Sequence, residues 1–351
     1  MANYRGKHLV TTQDWKVEEL ETVLSLAAEM KKNRYGSKFT GILKHKTFFM
    51  FFYNPSVRTR QSFEAAATEL GGHAQYLEPR GMRLKTSQSA GETTEDAAKV
   101  MSRYAEGLGI RILEDKVNRY GEGEALLREY MQYGTIPVIS MAHDKYHPCQ
   151  GLADVMGARE HLGNVRGKKL LQVWGRGALV RSWCSVQESL LINSRMGMDV
   201  TLAYPEGYDL DPQVIEWTRK NCAANGRKFE IIHDPVKGYK GADIVYSRNW
   251  MSPAAYGENG LDKENKEKEI KKAMAYQDWV TDAQKMKLTN NALFTHPMPV
   301  DRGSEVTDDV ASGPRSIIYD VAENRLHVQK AIMALTMSDF EYKNKKGGRK
   351  R

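Results

Sequence analysis

The chain has 351 residues, 41% hydrophobic and 27% charged, with a net charge of +8. That is the balance expected of a soluble globular protein of about two domains, and it excludes fibrous and low-complexity chains. No apolar run is long enough to span a bilayer, the start Met1-Ala2-Asn3-Tyr4 carries no leader pattern, and Cys149, Cys184 and Cys222 are too scattered for a disulfide framework or a zinc site; a cytoplasmic protein without a metal is expected.

Asp14 is placed to cap a first helix to about Arg34, with Val17, Leu20, Val23, Leu24 and Ala27 on one face. Thr47 to Tyr53 is an aromatic-rich apolar run of strand length, ended by Asn54-Pro55. Ser56 then caps a helix with Phe63, Ala66, Ala67 and Leu70 on one face, which Gly71-Gly72 stops. A polar loop from Arg83 to Thr93 leads to a helix from Thr94 to about Glu106. Strands over Leu108–Leu113 and Pro137–Met141 follow, then a helix from Leu152 to about Leu162. Lys169–Trp174, Met198–Ala203, Phe229–His233, Ala242–Tyr246 and Ala292–Thr295 read as further strands separated by helices. Such alternation implies α/β architecture with doubly wound parallel sheets. Residues 252–287 are charged and partly helical, and Val321 to Met337 form a last helix. The basic run from Lys343 to Arg351 reads as a solvated, disordered end, or less readily as a nucleic-acid or membrane tether.

Ser56, Arg58, Thr59 and Arg60 sit where a strand hands over to a helix N-terminus. Free backbone N–H groups and the positive end of the helix dipole favour an anion there. Guanidiniums grip two phosphate oxygens at once, so the cluster reads as a phosphate cradle. The plainer alternative is a helix start with solvated arginines. Arg111 lies in an otherwise apolar strand and needs an anionic partner, from the protein or from a ligand. Gly175-Arg176-Gly177 lacks the third glycine of a dinucleotide motif.

Ser56-Val57-Arg58-Thr59-Arg60, His147-Pro148-Cys149-Gln150 and His296-Pro297-Met298-Pro299, in that order, resemble the three signatures of the aspartate/ornithine carbamoyltransferase superfamily, with Val57 where the first Thr stands. The similarity runs from about Thr12 to about Met337. The flanks Leu288–Asn291 and Ala322–Lys330, and Tyr204–Tyr208, are similar to the N-acetylornithine and N-succinylornithine carbamoyltransferase group. The resemblance implies two parallel-sheet domains: residues 1–150 for carbamoyl phosphate, completed by a returning helix 321–340, residues 151–320 for the second substrate, and a tail 341–351. The length of Trp174–Gly197 implies the trefoil knot of that group; its prolines are replaced by Ala178-Leu179-Val180-Arg181.

The same resemblance implies transfer of a carbamoyl group from carbamoyl phosphate to an amine, without a cofactor. Ser56, Val57, Arg58, Thr59 and Arg60 would hold the phosphate. Thr59, Arg111 and His147 would act on the carbonyl oxygen, and Gln150 and the carbonyl at Met298 would orient the NH2. Second-substrate candidates are Trp250, His296, Pro297, Met298, Arg302 and Arg176. Cys149 reads as packing. A cis Met298-Pro299 bond and a homotrimer are expected, each site completed by a neighbour's Arg83–Thr93 loop; Ala90 stands where that loop carries a Lys, leaving Arg83, Lys85 or Thr86 as substitutes. Glu305 occupies the position of a functional Lys, and Pro297 that of the Cys in ornithine enzymes. The acceptor is therefore expected to be an amino acid or N-acylated amino acid other than free ornithine, with aspartate-type acceptors or a non-catalytic anion binder as alternatives.

Overall fold

The computed structural model describes residues 3–79, 91–258 and 260–343. Two parallel sheets organise them. The first has the order β2 (His73–Leu77), β1 (Thr47–Phe52), β3 (Gly107–Ile112), β4 (Val138–His143). The second has the order β7 (Phe229–Ile232), β6 (Asp199–Ala203), β5 (Lys169–Trp174), β8 (Ile244–Arg248), β9 (Leu293–Thr295). Their central strands are almost wholly buried, as parallel sheets covered by helices require. The expected α/β class with two parallel sheets is what the chain adopts.

Local chemistry explains most boundaries. Ser56 Oγ accepts the Thr59 N–H at 3.4 Å and starts α2 (Val57–Glu69). The first helix, α1 (Val17–Lys32), begins three residues later than Asp14, which lies instead in a short 3-10 turn; the Glu19 carboxylate accepts the Lys16 N–H at 2.7 Å and sets the start. The helix expected to reach Glu106 ends at Met101 as α3 (Thr94–Met101). Strand β2 and helix α4 (Glu122–Tyr133) have no counterpart in the sequence reading. Strand β2 is a half-exposed edge strand with only weak alternation, which hides it.

Two helices tie the halves together. Helix α5 (Pro148–Leu162) leaves the first sheet and packs on α6 (Cys184–Arg195), which lies beyond β5. The last helix, α11 (Ile318–Thr336), returns to the first half and packs on α1, α2 and α5. Its Val328, Ile332 and Leu335 join Leu24, Phe48 and Phe63 in one core, and the buried Lys330 ammonium meets Glu69 of α2 at 2.9 Å. Residues 80–90 and 344–351, with most of the proposed trans loop and the basic tail, lie outside the described residues.

Candidate active site

A cavity of about 140 Å³ opens between the carboxyl ends of the two sheets, the usual place for ligands in open α/β sheets. Its first-sheet wall carries Ser56, Arg58 and Thr59 from the start of α2, Arg111 from the end of β3 and His147 ahead of α5. A register shift between Ile110 and Arg111, where β3 meets β4, re-aims the arginine at this edge. Its second-sheet wall carries Arg181, Ser182, Arg248 and the Pro297-Met298-Pro299 turn. The Met298–Pro299 bond is cis, as expected, and Met298 itself has φ +63°.

Arg325 of α11 also enters the cavity, a residue the sequence reading quoted only as part of a flank. It is 5% exposed, and its guanidinium donates to Thr59 Oγ1 at 3.0 Å and to Gln150 Oε1 at 3.1 Å. Gln150 in turn donates to Asp154 at 2.9 Å. Gln150 therefore stands one layer behind the cavity and reaches it through Arg325. Burial pushes the Asp154 carboxyl up to about 8, outweighing Gln150 and Arg325, so it is neutral near pH 7.

The two walls differ in charge balance. Arg58, Arg111 and Arg325 have no ion-pair partner among the described residues, and the Nε atoms of Arg111 and Arg325 are buried without a hydrogen bond. Burial first, then the neighbouring arginines, lowers the basicity of the Arg58 guanidinium. Burial, with Arg325 and Arg111, holds His147 well below the usual imidazole range, so its ring is neutral and offers an N–H. On the second wall Arg181 pairs with Asp301, and Arg248 lies 3.8 Å from Glu305. Glu305 is fully buried and accepts from His296 Nε2 at 2.9 Å and from the backbone N–H groups of Asn249 and Asp301 at 2.5 and 2.9 Å. Burial raises the Glu305 carboxyl, but His296, Arg248 and the Asp301 N–H outweigh it and hold it at about 2. His296 Nδ1 accepts the Met298 N–H at 2.9 Å, which fixes the neutral Nε2–H tautomer and anchors the turn.

Several sequence candidates stand elsewhere. Arg60 follows Arg58 by two residues, so it points about 200° around the helix; it pairs with Glu64 at 2.9 Å and lies over Tyr76. The Val57 side chain is 70% exposed. Trp250 is buried and donates to the Tyr208 carbonyl at 2.8 Å, a packing role. Arg302 pairs with Asp308 at 2.8 Å on the surface, and Arg176 bonds Gln277. His296 supports the wall from behind. Pro297 and Met298 line the cavity. Cys149 is buried, its thiol directed at the Ser140 carbonyl.

Residues 7–160 match the family described as aspartate/ornithine carbamoyltransferase, carbamoyl-P binding domain, and residues 173–336 match its Asp/Orn binding domain. This chain belongs to the aspartate/ornithine carbamoyltransferase family. It is a carbamoyltransferase, moving a carbamoyl group to an amino group. The chain is 38% identical to the anabolic ornithine carbamoyltransferase of Pyrococcus furiosus, over 96% of this chain and 98% of that one. It is 39% identical to the N-acetylornithine carbamoyltransferase of Xanthomonas campestris pv. campestris, over 93% and 97%. A crystal structure of acetylornithine transcarbamylase complexed with acetylcitrulline superposes with a TM-score of 0.86 at 37% identity, covering 93% of this chain and 98% of that one. A variant of N-acetyl-L-ornithine transcarbamylase complexed with carbamyl phosphate and N-succinyl-L-norvaline gives 0.84 at 36% identity, over 93% and 99%.

Proposed function

We propose that carbamoyl phosphate binds in this cavity and that its carbamoyl group passes to the amine of an amino acid or N-acylated amino acid other than free ornithine. The observation that carries the reading is the trio Arg58, Arg111 and Arg325, cations with no ion-pair partner among the described residues, around the N–H groups of the α2 start. Uncompensated buried cations are costly and call for a ligand anion. The phosphate takes Ser56, Arg58 and Thr59. The carbonyl oxygen takes Thr59, Arg111, His147 and Arg325, and the carbonyls of the Met298 turn receive the NH2.

The amine attacks the carbonyl carbon, the electron pair moves to oxygen, and the phosphate leaves as that oxyanion collapses. Each donor aimed at the oxyanion contributes about 3–4 kcal/mol in such sites. Thr59 is held ready by Arg325, and His147 donates as a neutral imidazole.

Pro297 offers neither thiol nor N–H where ornithine enzymes carry Cys, which removes one contact to a free amino acid. The Glu305 carboxylate does not point into the cavity as an open negative charge; it is consumed by His296, Arg248 and two N–H groups. A lysine there would orphan these donors and face Arg248. Glu305 thus shapes the Met298 turn and acts on the acceptor only through it. Arg302 and Arg176 are not in reach of the cavity, so an acceptor carboxylate falls to Arg181 or Arg248. The 0.86 superposition and the length of Trp174–Gly197 support a knotted second half, the open cation cluster supports a homotrimer whose Arg83–Thr93 loop closes a neighbour's site, and three free cysteines support a cytosolic setting.

Phosphate release should be measured with carbamoyl phosphate and a panel of ornithine, N-acetylornithine, N-succinylornithine and aspartate. Turnover is expected with one member other than ornithine. Turnover of free ornithine at least equal to every other member overturns the acceptor assignment.

A further inference from the structure

One ionisable group in the cavity has no task in the scheme above. Glu114 follows β3 by two residues, opening a 3-10 turn (Glu114–Lys116), and lines the cavity between Arg111 and the second-sheet wall. It is 7% exposed, and its Oε2 is buried without a hydrogen-bond partner among the described residues. The Ser182 hydroxyl, at the second-sheet side, stands against the carboxyl. A buried carboxyl with a free oxygen, set in a cavity of arginines, is costly unless a cationic donor arrives there. Arg111 does not fill that place, because no ion pair links the two among the described residues.

Resting on the carbamoyl-transfer reading, the geometry points to Glu114 as the catalytic base that receives the acceptor's ammonium and takes one of its protons. An acceptor lying along the second-sheet wall is bordered by Ser182 and Glu114, which share the cavity with Arg111 and His147. The carboxylate takes a proton from R–NH3+, leaving R–NH2 and the neutral acid. The nitrogen lone pair forms the C–N bond, and the C=O pair becomes the oxyanion. On collapse the C–O bond to phosphate breaks, and the nitrogen's second proton goes to the departing phosphate. Glu114 then returns its proton to water as product leaves. One proton ends on phosphate and one in solvent, so charge balances.

The surroundings strengthen this carboxylate as a base. Burial raises the Glu114 carboxyl and Asp115 adds to the rise, while its own backbone N–H, Ser182 and Arg111 oppose it. Cys184 and Tyr256 face it from the second half, and the Arg58, Arg181 and Arg248 guanidiniums stand across the cavity. No other carboxyl lines this cavity among the described residues. The assignment also states a preference: the reacting group arrives as a cationic amine rather than an amide or hydroxyl.

The test is Glu114→Gln, which keeps shape and one acceptor, assayed with the best acceptor of the panel across pH. At pH 7 kcat/KM should fall about 100- to 10,000-fold. The deficit should shrink as pH rises towards the amine's own pKa, because free amine no longer needs the base. The wild-type profile should show an acid limb set by Glu114, whereas the variant's rate should keep rising until the amine's own pKa is reached. Carbamoyl phosphate affinity by calorimetry should be unchanged or tighter, since a negative charge has been removed, and Glu114→Asp should recover part of the activity. An equal deficit at every pH, or a loss of carbamoyl phosphate affinity matching the loss of activity, would make Glu114 a support for Arg111 and overturn the proposal. Activity of Glu114→Gln within threefold of wild type overturns it too. A wild type inactive with every amine fails the carbamoyl-transfer reading itself, a different result.

Discussion

The two walls of the cavity carry similar charge in opposite conditions. The first holds three arginines that have no ion-pair partner among the described residues. The second holds Arg181 and Arg248, each already facing a carboxylate. A wall of open cations has a stored demand for an anion and changes little when the anion arrives. A wall of matched pairs has satisfied itself, so it offers shape first, the turn at Met298 and the backbone it presents, and a guanidinium only when a pair opens to an acceptor carboxylate. This contrast teaches where a family's common chemistry and its divergence can sit side by side. On the proposed reading, the donor of the transferred group meets unpaired charge, while the acceptor meets a surface whose charges are internal and can be rearranged in pairs.

Breaking the matched wall should cost the most. Glu305→Ala strands His296, Arg248 and two buried N–H groups, and should destabilise the protein by about 3–5 kcal/mol in denaturant unfolding. A change below 1 kcal/mol would mean that Glu305 is not the keystone of that wall. Breaking the open wall acts on ligand rather than on fold. Arg58→Ala should weaken carbamoyl phosphate about 10- to 100-fold by calorimetry, the value of a charge-assisted bond, and should leave the melting temperature nearly unchanged because no protein partner is orphaned. Unchanged affinity would move the phosphate elsewhere.

Behind the open wall, Asp154 sharpens the comparison through pH. Its folded pKa of about 8 lies above the unfolded carboxylate range, so the folded state binds the extra proton. Stability is therefore fullest at low pH and falls as pH rises towards 8, by up to about 1.4 kcal/mol per unit. Asp154→Asn keeps an acceptor for Gln150 and should flatten that dependence of melting temperature between about pH 6 and 8. An identical slope in variant and wild type would place the titration on another group; Glu188, raised by burial to about 7, is the alternative. Smallest of all, Arg302→Ala removes an exposed pair with Asp308 and should change kcat/KM less than threefold and leave the melting temperature nearly unchanged. A tenfold rise in KM would return Arg302 to the acceptor site.

What was legible in the sequence followed contiguity. Arg58 and Thr59 share a cap with Ser56, and His147 adjoins its own helix, so short motifs exposed them. Arg111 was visible as a charge in an apolar strand. Arg60 was misjudged because a helix turns it away from its neighbour, a consequence of the 3.6-residue period that a linear motif conceals. Arg325 and Arg248 carry no local mark; each becomes a site residue only because a distant element brings it there. Glu305 showed as a charge reversal in one dimension, and only its burial reveals that the charge is spent inside the wall. Trp250 stood among the second-substrate candidates, and its indole bond to the Tyr208 carbonyl favours packing.

The path of α11 has a consequence for how the protein is made. Thr59 and Arg325 are 266 residues apart in the chain, yet they share one hydrogen bond at the heart of the cradle. During synthesis the first half emerges long before the helix that supplies this arginine and the core residues Val328, Ile332 and Leu335. A nascent chain therefore presents an unfinished groove on α1 and α2 until α11 has emerged. Closing a contact of such sequence separation is slow relative to local helix formation. Competence to hold carbamoyl phosphate thus waits for α11 and comes well after the first sheet is made.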